Sequence, residues 1–113
     1  MLVVISAFTV TPERQRELLD LLRANAEEVL RHQPGFVTAD LLAASDGTTV
    51  VNHARWTDAD AVRAMTADPA VRARMAPVWA IARPVVRQFT VASSHRPGPQ
   101  QAVRAHGSIP FPR

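Results

Sequence analysis

The sequence contains no cysteine, no tyrosine and no lysine among its 113 residues. Without cysteine the chain cannot form disulfides, thiolate metal sites or iron–sulfur clusters, and it has no thiol nucleophile. Without tyrosine it has no phenol to serve as an acid, a base or a radical relay. No apolar run is long enough to span a bilayer, so we expect no membrane partner. The N-terminus lacks the basic region of a signal peptide, which predicts a cytoplasmic protein.

Charge is distributed unevenly along the chain. All 13 basic residues are arginine, and the formal net charge is +3. Residues 1–92 balance ten arginines with ten acidic residues, whereas residues 93–113 hold three arginines and no acid. A neutral domain with a weakly basic tail makes a poor phosphate-binding surface, so we expect no nucleic-acid partner.

Hydrophobic periodicity predicts four strands and two helical regions. The first helix opens at Thr11-Pro12, with Thr11 as N-cap, and stops near His32. The second helical region begins with Thr57 as N-cap, restarts at residues 68–69, and is expected to kink or end at Pro77. The predicted strands cover residues 2–10, 36–44, 49–56 and 85–92.

The order strand, helix, strand, strand, helix, strand is typical of an α+β protein with the ferredoxin-like split βαβ fold. Right-handed crossovers place the first and third strands in the middle of a four-stranded antiparallel sheet. Helices on one face leave the other face bare, so we expect a homodimer packed sheet to sheet, a dimeric α/β barrel. Residues 1–92 form this domain, and residues 93–113 are interpreted as a tail that is mobile or docks on the partner subunit.

The third strand carries the most informative side chains. Alternation puts Val50, Asn52, Ala54 and Trp56 on one face. If that face meets the helices, Ala54 leaves a gap between Asn52 and Trp56 in which two or three fused rings fit. An unpaired amide is costly in a buried strand, which favours a ligand cavity or an internal water beside Asn52. For Trp56 alone, packing in the core is an equal alternative.

Other candidate residues come from the neighbouring elements. Ser6 should lie beside Asn52, because the first and third strands are expected to be neighbours. No pair of histidines has metal-ligand spacing, so we expect no metal site, and the absence of a glycine-rich loop after a strand argues against nucleotide and flavin cofactors. Arginines of the later helix are candidates for binding a phenolate or carboxylate at the mouth of the cavity. The candidate substrate-binding residues are Ser6, Phe8, Met65, Arg74 and Trp79, with Arg72 as a further possibility.

Three segments together resemble the antibiotic biosynthesis monooxygenase family. They are Gln33-Pro34-Gly35-Phe36, the turn Asp46-Gly47 and the strand Val50–Asp58, and the resemblance covers about residues 2–92. Within that family the chain is similar to the small oxygenases that act on anthrones and naphthacenones. The resemblance implies a dimer and the oxidation of an aromatic polyketide to a quinone by O2, without a metal, haem or flavin cofactor. Asn52 and Trp56 match the residues linked to substrate and oxygen handling in that group.

Two other readings of the same fold stay open. A polyketide cyclase or isomerase, or a non-catalytic small-molecule binding module, can be built on this architecture. A haem-degrading monooxygenase is less compatible, since that branch of the family needs a helix-borne histidine and no histidine lies between Trp56 and Ser94. Some oxygenases of the family also carry an Asn on the first strand where this chain has Ser6.

Overall fold

An antiparallel sheet with helices packed on one face forms the protein in the computed structural model, which describes residues 1–99. The spatial strand order is β2-β3-β1-β4, so the first and third strands are central, as predicted. The ferredoxin-like fold expected from the sequence is confirmed. The elements in chain order are β1 (Leu2–Thr9), α1 (Gln15–Glu28), β2 (Phe36–Ala43), β3 (Thr49–Trp56), α2 (Ala59–Ala67), α3 (Pro69–Ile81) and β4 (Pro84–Thr90).

The core lies between the sheet and the helices in two adjoining clusters. One joins Phe8 and Val50 of the sheet to Leu18 and Val78 of the helices. The other surrounds Trp56, which is only 1% exposed. Burial of these side chains is the main force that holds the helices against the sheet. Among the described residues no helix is long and apolar enough to cross a membrane.

One of the two predicted helix caps is wrong. Thr11 is the N-cap residue of a short 3-10 turn over Pro12–Arg14 that leads into α1, with Pro12 in its first turn, although the Thr11 side chain makes no capping hydrogen bond. Asp58, not Thr57, caps α2: its Oδ1 accepts a hydrogen bond from the backbone N–H of Ala61 at 2.9 Å. A carboxylate is an effective cap because it also interacts favourably with the positive end of the helix dipole.

The break between α2 and α3 is set by Asp68. Its carboxylate accepts hydrogen bonds from Gln33 Nε2 at 2.9 Å and from the backbone N–H of Ala70 at 2.8 Å. The Gln33 bond and then the Ala70 bond lower the pKa of Asp68, since both favour the charged carboxylate.

Helix α3 runs through Pro77 to Ile81, so Pro77 does not end the helix. The next residue, Val78, is fully buried and keeps this segment against the core.

A glycine with positive φ allows the chain to turn from α1 into β2. Gly35 has φ +85°, and a β-carbon there would lie 2.4 Å from Cβ of Ala61. Its carbonyl accepts a hydrogen bond from the N–H of Thr57 at 2.8 Å. The contact therefore brings the start of β2 against the start of α2, and only glycine allows both the angle and the approach.

The tail prediction falls largely outside the structure. Residues 93–99 form neither helix nor strand, and residues 100–113 lie outside the described residues. The expectation that residues 93–113 are mobile or dock on a partner stays a prediction.

Candidate active site

A cavity of about 430 Å³ lies between the sheet and the helices, and its lining is mostly apolar. Its volume falls in the range of ~300–1,000 Å³ that is usual for small-molecule sites. The sheet contributes residues of β1, β3 and β4, and all three helices contribute to the opposite side. The cavity is thus the space left where the sheet and helix layers do not close on each other.

Two polar side chains stand next to each other on the sheet wall. Ser6 of β1 is directly opposite Asn52 of β3 in the antiparallel register, and both line the cavity. This adjacency was predicted from the strand order. Val4 and Phe8, which flank Ser6 on the same face of β1, also line the cavity. Ser6 and Asn52 are therefore adjacent polar groups in a mostly apolar wall, to which Gln88 of β4 adds a further amide.

The amide of Asn52 is incompletely satisfied. Its Oδ1 is buried and has no hydrogen-bond partner among the described residues. A buried amide oxygen without a partner costs about 1–3 kcal/mol, so it needs an occupant of the cavity to be satisfied. The sequence-based expectation that this face of β3 meets the helices agrees with the burial of Val50, Ala54 and Trp56.

The expectation that Trp56 walls the cavity is wrong. Its ring makes an edge-to-face contact with Phe36, with centroids 5.4 Å apart and planes at 87°. Trp56 is not among the residues that line the cavity. It packs in the core beside Val62 and Val71, and those two valines do line the cavity. Trp56 is the last residue of β3, and α2 begins three residues later at Ala59. The catalytic role predicted for Trp56 stays a prediction.

The mouth of the cavity lies between the edge strand β4 and the helices. Trp79 of α3 and Val86 of β4 both line the cavity and are 36% and 54% exposed. The guanidinium of Arg83 lies over the Trp79 ring, 5.3 Å from its centroid. Met65 of α2, like Phe8 and Trp79, lines the cavity as a candidate binding residue should.

Arg74 does not reach the cavity, which corrects the prediction for this residue. Its guanidinium forms an ion pair with Glu28 on the outer side of α1. Arg72, two residues earlier, does line the cavity, and its Nε donates to the carbonyl of Thr66 at 3.2 Å. Two residues along a helix correspond to a rotation of about 200°, so the two side chains point to different sides of α3.

Asn25 of α1 was missed by the sequence analysis. It is 2% exposed and lines the cavity from the helix side. Its Nδ2 donates to Sδ of Met75 at 3.5 Å, and its Oδ1 has no partner among the described residues. The available signal was its position, three residues after Leu22 and seven after Leu18, where a helix that packs on a sheet carries an apolar side chain.

Ionisable groups are scarce at the site. Of the lining residues within the described part of the chain, Arg72 alone carries a charge. Within residues 1–99, no three histidine, aspartate or glutamate side chains are close enough to hold a metal ion. The arrangement can bind a flat apolar molecule, hydrogen-bond it through amide and hydroxyl groups, and present one cation near its entrance.

Comparison with known proteins gives consistent results. A model of the family described as "Antibiotic biosynthesis monooxygenase" matches residues 1–76. The chain is 39% identical over 84 residues to the tetracenomycin-F1 monooxygenase of Streptomyces glaucescens, which covers 74% of this chain and 75% of that protein.

Two crystal structures of Streptomyces proteins are also similar. The monooxygenase from the gene ActVA-Orf6 of Streptomyces coelicolor, in complex with nanaomycin D, shares 29% identity with a TM-score of 0.77, over 86% of this chain and 92% of that one. SnoaB of Streptomyces nogalater, a cofactor-independent oxygenase, shares 28% identity with a TM-score of 0.69, over 82% of this chain and 94% of that one.

Proposed function

The chain belongs to the antibiotic biosynthesis monooxygenase family, and from this premise we propose that it oxidises an aromatic polyketide of the anthrone type to a quinone with dioxygen. The similar proteins include a tetracenomycin-F1 monooxygenase and a cofactor-independent oxygenase. We propose the same reaction class here, without a metal, haem or flavin.

The cavity is the observation that carries this proposal. About 430 Å³ of mostly apolar space, with Ser6 and Asn52 side by side on one wall, suits a flat polycycle with oxygen substituents. An apolar wall excludes water from a reactive carbanion, and a few polar groups orient it. A surface that only binds another protein has no need for such a chamber.

The chemistry requires the substrate to act as its own reductant. Loss of one C–H proton from an anthrone gives a carbanion that is delocalised onto the ring oxygen. This carbanion transfers one electron to triplet O2, and the radical pair combines to form a C–O bond and a peroxide. Cleavage of the O–O bond, with loss of the second C–H proton, gives the quinone carbonyl and one water molecule. One oxygen atom of O2 enters the product and the other leaves in water.

Asn52 is the residue to which we assign stabilisation of the enolate. Its amide NH2 can donate a hydrogen bond to the developing oxyanion, and such a donor in a dry site is worth about 10²–10³ in rate. Ser6 can hold a substrate hydroxyl or a water beside it. Arg72 at the mouth favours the anionic form of the substrate by its charge. No carboxylate or histidine lines the described cavity, so formation of the carbanion depends on the acidity of the substrate itself.

We also propose that the protein is a homodimer that pairs through the outer face of its sheet. Leu42 of β2 and Val85 and Phe89 of β4 lie on that face and are 52%, 64% and 43% exposed. Helices cover the opposite face only, and a second copy would bury these side chains. Light scattering of the wild type should give twice the mass of the chain, and the Val85→Asp variant should give the mass of the monomer. A monomeric wild type would contradict the proposal.

The cytoplasmic location stays a prediction.

Oxygen uptake with an anthrone substrate tests the activity. We expect the protein to accelerate both the consumption of O2 and the appearance of quinone absorbance, in a ratio of one O2 to one quinone, with no reaction under nitrogen. Conversion under nitrogen would identify a cyclase or isomerase. Thermal stabilisation by the compound without any conversion would identify a binding module.

The Asn52→Ala variant tests the assignment within the site. We expect its turnover to fall about 10²–10³-fold because one oxyanion donor is lost. Thr49→Ala is a matched control, since Thr49 lies on the same strand and faces the other side of the sheet. Turnover near the wild-type value in a folded Asn52→Ala protein would remove Asn52 from the mechanism.

A further inference from the structure

We propose that Asn25 is a second substrate-binding amide, and that it selects aromatic ligands with a hydroxyl on the edge that faces the helices. Its oxygen accepts a hydrogen bond from that hydroxyl. The proposal rests on the proposed function and specifies its substrate class: a polycycle whose ring oxygen accepts from the Asn52 NH2 in the sheet and whose hydroxyl, on another edge, donates to Asn25 in α1.

The position of Asn25 is costly to the fold. It is the buried polar residue of the described core, at 2% exposure, and it follows Leu18 and Leu22 on the buried side of α1. Asparagine is among the weaker helix formers, and leucine or alanine would suit both the helix and the core. Residues that break a local rule in this way are expected at functional sites, where binding compensates for the lost stability.

Met75 determines which end of the Asn25 amide is left without a partner. The Asn25 Nδ2 donates to the Met75 sulfur at 3.5 Å, which leaves Oδ1 buried and without a partner. If the amide turned over, its oxygen would meet the sulfur, which is also an acceptor, and the contact would be unfavourable. Because Asn25 lines the cavity, its unpartnered oxygen would pair there with a ligand hydroxyl and not with a carbonyl or a carboxylate.

Two residues that line one cavity thus each have an amide oxygen without a partner among the described residues. Asn52 contributes one from the sheet and Asn25 the other from the helix layer. Most buried polar side-chain atoms have a hydrogen-bond partner, and these two oxygens have none among the described residues. The Asn25 oxygen is thus available to accept a hydrogen bond from a ligand hydroxyl, while the Asn52 NH2 donates to the substrate oxygen.

Binding of quinones that cannot be oxidised further tests this without any turnover. The probes are 2,6-dihydroxyanthraquinone, which carries a donor at each end, and unsubstituted anthraquinone, measured by calorimetry or by tryptophan quenching. We expect the wild type to bind the dihydroxy probe at least tenfold more tightly. In Asn25→Leu we expect a five- to tenfold loss for the dihydroxy probe and a change below twofold for the parent, since one hydrogen bond is removed.

The melting temperature separates binding from a structural role. Removal of an unpaired buried acceptor should leave the melting temperature of Asn25→Leu equal to or above that of the wild type, whereas loss of a structural hydrogen bond would lower it. Asn25→Ala provides the same comparison if the leucine variant does not fold. Equal loss for both probes, no loss for either, or a wild type that binds neither would overturn the proposal.

The outcome is distinguishable from failure of the proposed function. In one outcome the wild type oxidises an anthrone, and the Asn25 variants change the affinity for both probes equally. That result would support the proposed function and refute the role of Asn25. Discrimination between the probes by a protein that consumes no oxygen would support the Asn25 site and refute the oxygenase.

Discussion

The role of Trp56 can be decided by the substitution Trp56→Phe. The ring is 1% exposed and contacts Phe36 edge to face at 5.4 Å. Truncation of a fully buried tryptophan to alanine costs about 3–5 kcal/mol, and replacement by phenylalanine should cost about 1–2 kcal/mol of that. For a folded unit of this size the melting temperature should then fall by roughly 4–16 °C.

If Trp56 acts only by packing, the loss should appear in stability and not in the rate per folded molecule. Urea denaturation gives the free energy of unfolding, and initial rates of anthrone oxidation, measured where the variant is fully folded, should stay within about threefold of wild type. Phe36→Leu is the matched control, because it weakens the same contact without loss of the indole N–H. A 10²–10³-fold loss of rate with unchanged stability would refute this reasoning and bring the indole to the reacting atoms.

Further expectations follow from the arginines, a glycine and a capping carboxylate. Arg72→Gln should raise KM several-fold because it removes the cation at the mouth, whereas Arg74→Gln, which breaks only an exposed ion pair, should leave the kinetics within twofold; a higher KM for the Arg74 variant would contradict the geometry. Gly35→Ala should destabilise the protein by about 2 kcal/mol or more in urea, since φ is +85° and a β-carbon would lie 2.4 Å from α2, while Gly98→Ala, in open space, should have no effect. The lowered pKa of Asp68 adds stability that is complete above the ordinary value of about 3.9 and is lost as the pH falls through the lowered folded value. Asp68→Ser keeps a capping oxygen without a carboxyl, so the free energy of unfolding of this variant should decline less steeply than that of the wild type as the pH falls. An equal decline in the two proteins would show that Asp68 contributes nothing to the acid dependence of stability.

Much of the fold was predictable because the local signals agree with one another. Period-two alternation identified β3 over its full length, and the Asp46-Gly47 turn marked the hairpin before it. The crossover rule then placed β1 beside β3, which put Ser6 opposite Asn52. Caps were less predictable, because Thr57 and Asp58 are both good cap residues and only the backbone path decides which one reaches the first turn.

The site was only partly predictable. Phe8, Met65 and Trp79 could be named because they lie on the apolar sides of their elements. Trp56 and Arg74 were predicted to line the cavity but do not. Alternation and helical periodicity assign a side chain to a face of its element, but they do not say where along that face the cavity lies. Trp56 packs in the core, and Arg74 forms an ion pair with Glu28 of α1.

By itself the sequence determined the order of the elements, the two central strands and the family to which the chain belongs, because these depend on short-range patterns and on rules of chain connection. Only the tertiary structure decided which polar groups share the cavity. Asn25 and Asn52 are 27 positions apart in the chain, and the packing of α1 over the sheet brings both to one cavity. Their missing hydrogen bonds arise from that packing, since the satisfaction of a buried polar atom depends on every element around it.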